Sequence, residues 1–220
     1  HDGTIRNLVV DRWAAYKKME KKSMLLAYCW VHFRRDFINL EKSHPKNDAI
    51  VSWCDEWVKK IGELYKLNEE RLRQDCQTLR FIELTQKIRT KVSQMYETKE
   101  KDSWIAKQKL IIKSFQDRII GYSRFIDDPQ IPMDNNFAER IFKGPIIGRK
   151  NYLGNVSPKS VEHTQIFWSI VATAKINKVN LEKWLKNYFG ACAVNAGLAL
   201  EGDALLQHFR MLVHTPNAVH

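Results

Sequence analysis

Two short apolar runs near the start of the chain have the composition of buried β-strands. The first covers residues 5–10 and is followed by Asp11, and the second covers residues 24–29. Both are rich in aliphatic residues, which favours two strands that pair with each other. Helix-compatible residues lie between them at 13–22, and a helix is predicted from residue 30 to about residue 42. The chain is therefore expected to begin with an α/β arrangement.

From about residue 45 to residue 126 the apolar positions recur every three or four residues. This spacing is typical of amphipathic helices, so the segment is predicted to be a block of long helices. The apolar residues that carry the pattern are Ile50, Trp53, Trp57, Ile61, Leu64, Trp104, Ile111, Phe115, Ile119, Tyr122 and Ile126. We interpret the tryptophan stripe as part of a core rather than as a platform for stacked bases.

Turn residues at 127–129 end this block, and shorter helices follow. A helix is predicted for residues 135–142, with Asp134 or Asn136 as its cap. Gly144, Pro145 and Gly148 are expected to stop it. Further helices are predicted at 158–177, where the apolar residues favour one face, and at 181–189. The last thirty residues carry no readable pattern, and the end from residue 215 is expected to be loose.

The composition is that of a folded, helix-rich protein with an excess of positive charge. Hydrophobic residues make up 44% and charged residues 28% of the 220 positions, which excludes a disordered or collagen-like chain. The 36 Lys and Arg residues against 25 Asp and Glu residues give a net charge of +11. Residues 1–126 hold 26 of the basic and 17 of the acidic residues, and hence +9 of this excess. Such a field favours polyanions as partners.

Neither a membrane segment nor a disulfide framework is predicted. No apolar run approaches the roughly 18 to 20 residues that cross a bilayer. The chain starts at His1 with a strand close behind, so we expect no signal peptide and a piece of a longer protein. The four cysteines are far apart and include no Cys-x-x-Cys pair, which favours reduced thiols in a cytoplasm.

Two carboxylates are candidates for binding a divalent metal ion. Asp11 follows a predicted strand and Glu139 lies on a later helix, and hard ions such as Mg²⁺ take oxygen ligands. Both residues also have ordinary structural interpretations. An Asp at a strand end often bonds the following turn, and Glu139 stands where a carboxylate completes a capping box with Asn136.

The pair Cys29 and His32 has the spacing of half a zinc site, but no second pair with suitable spacing completes four ligands. His32 and Arg35 lie three residues apart and share one face of the predicted helix, which is compatible with a functional role for that face. A structural role for His32 beside aromatic residues is equally compatible with the sequence. After Glu139, the residues Arg140, Lys143, Arg149 and Lys150 form either a phosphate-binding segment or a solvated basic face.

Several ordered motifs resemble the transposase of the insertion sequence 66 family. They are VVDRWAAYK (9–17), CWVHFRRDF (29–37), MDNNFAERIFKGPIIGRKNYLG (133–154) and the stretch 162–185, which ends in SIVATAKINKVNLEKWL. The resemblance runs from residue 9 to about residue 190. It implies a DDE-type transposase with a ribonuclease H-like fold, in which two aspartates and a glutamate bind two Mg²⁺ or Mn²⁺ ions. Asp11 matches the second aspartate and Glu139 the glutamate.

The resemblance also implies how the chain is divided. Residues 1–44 would be a partial ribonuclease H-like core with its first strands missing, and 45–126 a long helical insertion. Residues 127–190 would carry the catalytic glutamate and the C-terminal helices of the core, and 191–220 a tail. The strand that carries the first aspartate of the family would lie upstream of residue 1. Residues 1–220 alone are therefore expected to be inactive.

On this interpretation the full-length protein cleaves DNA at transposon ends and joins the freed 3′ hydroxyls to target DNA. Asp11 and Glu139 would bind the metal. The residues expected to contact DNA are His32, Arg34, Arg35, Arg140, Lys143, Arg149 and Lys150. Double-stranded DNA and further copies of the chain are the expected partners, in the bacterial cytosol. The alternatives are a non-catalytic DNA-binding or assembly module and a cellular nuclease of the same fold.

Overall fold

The structure, a computed structural model, describes residues 6–12, 14–16, 24–151 and 157–213, without the side chains of residues 6, 14 and 149. The predicted strands form in this part of the chain. Strand β1 (Arg6–Val10) pairs in parallel with β2 (Met24–Tyr28), and Leu8 lies opposite Leu26. A short 3₁₀ helix (Ala14–Tyr16) lies between them. The other residues predicted to be helical between the strands, and the end from residue 215, lie outside the described ranges.

Helices dominate the described residues. They are α1 (Trp30–Ser43), α2 (Asp48–Leu72), α3 (Leu79–Tyr96), α4 (Ala106–Gln116), α5 (Ile119–Asp127), α6 (Asn136–Asn151), α7 (Pro158–Ile176), α8 (Leu181–Val194) and α9 (Gly202–Val213). The helix-rich α/β class and the helical block at 45–126 are therefore confirmed. Helix α9 lies in a stretch where the sequence shows no readable pattern. None of the helices in the described ranges is long and apolar enough to cross a membrane.

Side-chain caps explain where several helices begin. Asn47 accepts a hydrogen bond from the backbone N–H of Ile50 at 3.1 Å before α2, and Thr78 accepts one from Phe81 at 3.2 Å before α3. In the same way, Asn180 accepts from Lys183 at 2.9 Å before α8. Each cap satisfies one of the backbone donors that the first helical turn leaves without a partner.

The chain divides into two units, His1–Ala138 and Glu139–His220. The domain limits expected from the family resemblance are not tested by this division and stay predictions. In the first unit, the strands share one core with α1–α5. Its centre is aromatic: Phe33 of α1 stacks on Phe115 of α4 with ring centroids 4.7 Å apart. Trp30 donates its indole N–H to the carbonyl oxygen of Tyr122 at 3.0 Å. Trp57 is buried in this core, as its interpretation as a core residue requires.

The second unit contains a smaller buried cluster of Ala174, Trp184 and Leu212. Trp184 donates its indole N–H to the carbonyl oxygen of His208 at 3.0 Å, which links α8 to α9. Helix α7 matches its predicted bounds, but its apolar residues do not form one buried face. Among the described residues, Ile166 and Phe167 keep about half of their surface exposed (52% and 49%).

The predicted end of the helix at Gly144 is wrong, because α6 continues to Asn151 with Pro145 inside it. Proline lacks the N–H that a helix interior needs, and this loss is why the sequence predicted that the helix ends here. Packing in the second unit opposes this local preference. A methyl group placed on Gly144 would lie 2.9 Å from the ring of Trp168, so α7 approaches α6 closely at this point. The tertiary contact outweighs the local preference for a turn.

Candidate active site

Three segments of the first unit meet at the C-terminal end of the two strands. The backbone N–H of Cys29, just after β2, donates to the carbonyl oxygen of Val10 at 2.8 Å. The backbone N–H of Trp30 donates to the carbonyl oxygen of Met133 at 2.9 Å. These bonds bring the end of β1, the start of α1 and the loop at 131–135 together. We call this arrangement the strand-end site.

The chain after β1 is anchored through Arg12. Its guanidinium forms an ion pair with Asp36 of α1, and its Nη1 donates to Ser114 Oγ of α4 at 3.3 Å. The guanidinium carbon also lies 6.0 Å from the centroid of the Phe33 ring, within the range of a cation–π contact. Asp11, the residue before Arg12, is half-buried. The position of Asp11 is therefore set by β1 on one side and by the contacts of Arg12 with α1 and α4 on the other.

Cys29 and His32 lie at the start of α1. The Cys29 thiol is buried, and burial raises its pKa although the backbone N–H groups of Asn135 and His32 bond to the sulfur and oppose the rise. The raised pKa favours the neutral thiol over the thiolate, which is the nucleophilic form. His32 is half-buried. No group of three or more His, Cys, Asp and Glu residues arranged for a metal ion occurs in the described part of the chain, so no four-ligand zinc set is found there.

Arg34 and Arg35 follow on the outer side of α1. Both are exposed, and neither forms an ion pair with a described residue. Their neighbour Asp36 forms an ion pair with Arg12 instead. Two adjacent arginines that no described carboxylate pairs with present their guanidinium groups to solvent, where a phosphate group can reach them. Their contact with DNA stays a prediction.

The loop before α6 is tied to the helical block. Asp134 Oδ2 accepts a hydrogen bond from the Tyr65 hydroxyl of α2 at 3.1 Å, and its Oδ1 accepts one from the backbone N–H of Asn136 at 3.0 Å. Burial and the negative charge of Asp134 raise the pKa of Tyr65, so its hydroxyl remains a donor. Asn136 is the first residue of α6, and Glu139 stands half-buried in the first turn.

The basic residues of α6 project to solvent. Arg140, Lys143 and Lys150 are exposed, and their spacings of three and seven residues place them on one side of the helix. The side chain of Arg149 lies outside the described part of the structure. An exposed basic stripe is able to bind phosphates through charge alone.

The two predicted metal ligands fit a hard cation by donor type, because both supply carboxylate oxygens. Asp11 belongs to the first unit and Glu139 to the second. No group of three or more His, Cys, Asp and Glu residues arranged for a metal ion includes them in the described part of the chain. The pairing of Asp11 with Glu139 as metal ligands stays a prediction.

Four residues of the strand-end site were not singled out from the sequence as site residues: Arg12, Asp36, Tyr65 and Asp134. Arg12 and Asp36 lie inside two of the family motifs, so an opposite-charge pair between those motifs was a usable signal. Asp134 was expected only as a helix cap. Nothing in the sequence around Tyr65 indicated a site residue, because its contact with Asp134 joins residues 69 positions apart in the chain.

Comparison with known proteins decides the family. The family model described as "Transposase IS66 family" matches residues 3–162, which is more than half of the chain. The chain belongs to the IS66 transposase family. The resemblance inferred from the sequence motifs is thereby confirmed. No solved structure matches the chain significantly, so the ribonuclease H-like core has no structural counterpart to support it.

Curated relatives of this transposase-family chain come from Sinorhizobium fredii (strain NBRC 101917 / NGR234). The uncharacterized protein y4jD is 27% identical over 193 residues, which cover 81% of this chain and 36% of the relative. The uncharacterized protein y4qI is 28% identical over 194 residues, covering 81% and 34% respectively. The chain thus spans about a third of the length of the relatives it matches.

Proposed function

We propose that the full-length protein is a DDE-type DNA transposase that cleaves strands at transposon ends and joins the freed 3′ hydroxyls to target DNA. Its catalytic region would have a ribonuclease H-like core interrupted by the helical block. Family membership carries this proposal. The strand-end site supports it. Backbone hydrogen bonds from the start of α1 join the end of β1, which precedes Asp11, to the loop that leads into α6. Asp134 of that loop then bonds the first residue of α6.

In this proposal Asp11 and Glu139 are catalytic metal ligands, with one further carboxylate supplied from elsewhere in the full-length protein. Bound Mg²⁺ or Mn²⁺ ions would activate the attacking oxygen and stabilise the leaving one. The phosphate backbone of double-stranded DNA would be contacted by His32, Arg34, Arg35, Arg140, Lys143, Arg149 and Lys150. Because this proposal assigns only two of the three carboxylates to residues 1–220, we expect no cleavage by this chain alone.

The first prediction concerns the two carboxylates. Asp11→Asn and Glu139→Gln keep side-chain size and remove a charged metal ligand, so each is expected to lower Mn²⁺-dependent nicking at least about 100-fold. The assay uses the full-length protein and a duplex that carries the ends of the insertion element around its gene. DNA affinity, measured by fluorescence anisotropy, should change less than about threefold.

Matched controls are Asp102→Asn and Glu97→Gln, because both carboxylates are exposed on the helical block. These variants should nick like the wild type. Wild-type nicking by Asp11→Asn, or an equal loss in the controls, would contradict the assignment.

A second candidate function is a non-catalytic DNA-binding or assembly module. The excess positive charge in residues 1–126 and the exposed pair Arg34 and Arg35 favour it. In that case the full-length protein binds DNA but does not nick it in Mn²⁺, and a double Asp11→Asn, Glu139→Gln variant binds as the wild type does. Cleavage without strand joining would indicate a nuclease instead. Self-association, which transposition by this proposal requires, is measured by light scattering on the DNA complex.

A further inference from the structure

The loop that leads into α6 is fixed to the core of the first unit before it reaches the helix. The backbone N–H of Ile131 donates to the carbonyl oxygen of Asp128 at 3.0 Å, and the side chains of Ile131 and Met133 are buried. The carbonyl oxygen of Met133 accepts from the backbone N–H of Trp30 at 2.9 Å. The backbone up to Met133 therefore has little freedom.

Asp134 is the link between this fixed loop and the helix. Its Oδ1 accepts from the backbone N–H of Asn136 at 3.0 Å, which satisfies a donor of the first helical turn. Its Oδ2 accepts from the Tyr65 hydroxyl at 3.1 Å. Both carboxylate oxygens thus accept from protein donors, and each bond fixes a different part of the molecule.

Tyr65 is a rigid donor. It lies on the 25-residue helix α2 beside Leu64, which is fully buried, and its ring packs against the core of the first unit. A tyrosine has only two side-chain torsions, so a packed ring places its hydroxyl with little freedom. The hydroxyl therefore presents a fixed anchor to Asp134 from the helical block.

We propose that Tyr65 and Asp134 form a positioning pair that fixes the first turn of α6, and through it the direction of the Glu139 carboxylate. Glu139 follows Asn136 by three residues in that turn, so both lie on the same side of the helix. The inference rests on the proposed function, in which Glu139 binds the metal. It assigns to the helical block a role in the geometry of the site besides any contact with DNA.

Tyr65→Phe tests the pair, because it removes one hydroxyl and keeps the ring. In the full-length protein, the backbone amide of Asn136 and those of residues 140–142, which are the first with acceptors inside the helix, should exchange with solvent about three- to tenfold faster, as expected for the loss of one hydrogen bond. Tyr96→Phe is the matched control, since Tyr96 is exposed on α3. It should leave exchange in these residues unchanged.

The second measurement is a Mn²⁺ titration of nicking. A misdirected Glu139 weakens metal binding, so the Mn²⁺ concentration at half-maximal rate should rise about three- to tenfold in Tyr65→Phe. At saturating Mn²⁺ the rate should return to within about threefold of the wild type. Tyr96→Phe should titrate like the wild type. A variant that was damaged only in general stability would lose rate at every metal concentration.

Substitutions of Asp134 separate positioning from metal binding. Asp134→Asn keeps an oxygen for the amide of Asn136 and gains an N–H that bonds the Tyr65 oxygen, so it should retain most of the activity. Asp134→Ala loses both contacts and should raise the half-saturating Mn²⁺ concentration more than about tenfold. If Asp134→Asn were as inactive as Glu139→Gln, Asp134 would be a catalytic carboxylate and the positioning role would be overturned.

The two proposals fail in different ways. Absence of Mn²⁺-dependent nicking by the wild type, or wild-type nicking by Glu139→Gln, overturns the proposed function and with it the role of the pair in catalysis. If nicking depends on Glu139 but Tyr65→Phe changes neither amide exchange nor the Mn²⁺ titration, the positioning pair is overturned and the proposed function stands.

Discussion

Within the described residues, the hydrogen bonds of the buried Arg71 go to neutral groups. Its Nη1 donates to the carbonyl oxygen of Ile126 at 3.0 Å, and its Nη2 donates to that of Phe125 at 2.6 Å and to Asn68 Oδ1 at 2.7 Å. The two carbonyls belong to the last turn of α5, where intrahelical donors run out. Burial lowers the pKa of this guanidinium, which nevertheless stays charged. Arg71 of α2 thus caps the end of α5.

This cap leads to a prediction about the stability of the folded protein. Arg71→Met keeps much of the side-chain volume but leaves two buried carbonyls without donors, so it should lower the free energy of unfolding by about 2–4 kcal/mol. Urea unfolding followed by circular dichroism measures the change. Arg73→Met is the control: Arg73 is exposed and, among the described residues, forms its ion pair with Glu69 four residues earlier, so its loss should cost less than about 0.5 kcal/mol. Similar losses in both variants would exclude the capping role.

At the scale of single residues, the sequence indicated candidates whose local context is informative, such as a carboxylate at a strand end. It missed residues whose role depends on a contact with a distant part of the chain. Asp11 was predicted as a site residue because it follows a strand, and Glu139 because it is a second carboxylate on a later helix; both stay predictions. Tyr65 and Arg71 look like ordinary members of a helical stripe, and the contacts that define their roles, with Asp134 and with the carbonyl oxygens of Phe125 and Ile126, join residues more than fifty positions apart. A hydrogen bond between such distant residues leaves no local signature in one sequence.

Among the elements, α5 approaches β2 more closely than a side chain would allow. A methyl group on Gly121 would lie 2.4 Å from the Tyr28 ring and 2.9 Å from the carbonyl oxygen of Leu26. Arg124, one turn later, donates from Nε to the same carbonyl oxygen at 2.9 Å. The helix therefore occupies the outer edge of β2 and satisfies part of its backbone, which protects that edge from pairing with another chain.

The close approach predicts opposite signs for one substitution at two helical glycines. Gly121→Ala should lower the free energy of unfolding by about 1–3 kcal/mol, because overpacking against β2 exceeds the gain in helix propensity. Gly62→Ala in α2 should raise it by about 0.5–1 kcal/mol, since no atom lies within 4 Å of the added methyl group. Both values come from the same urea unfolding measurement. Stabilisation by Gly121→Ala would show that α5 does not approach β2 this closely.

Periodicity predicted most of the elements but not all of their limits. The strands and the helices of residues 45–126 have the spacing expected for buried faces and form where predicted, and α7 forms within its predicted limits although its apolar residues do not share one buried face. Helix α6 passes through Gly144 and Pro145 because α7 packs against it, and local preference does not report such a contact. Helix α9 was not predicted, although it completes the cluster around Trp184. A helix with few buried residues leaves a weak pattern.

On the scale of the whole molecule, ordered motifs revealed more than composition did. The net charge of +11 suggested a polyanionic partner without naming one. The motifs from residue 9 onward predicted the family, and the family match confirms it. The ribonuclease H-like core has no match among solved structures and stays a prediction. Ordered motifs in one sequence identify a family, whereas a fold requires the contacts between its elements.

The excess charge should act mainly through arginines that no carboxylate neutralises. Arg34 and Arg35 are exposed and form no ion pair with a described residue, whereas Arg80 is paired with both Glu70 and Glu83. A cation that is already paired releases few counterions when it meets a phosphate. The salt dependence of DNA binding should therefore distinguish the two kinds of arginine.

The double substitution Arg34→Gln, Arg35→Gln should reduce the slope of log affinity against log salt concentration by about 2, at about 0.9 per phosphate contact. The affinities for a transposon-end duplex and for an unrelated duplex should fall by the same factor, because contacts to phosphates carry no sequence information. Arg80→Gln should leave the slope unchanged. If the double variant kept the wild-type slope while Arg80→Gln lowered it, the helical block would hold the phosphates and the outer side of α1 would not. Fluorescence anisotropy over a range of KCl concentrations measures both variants.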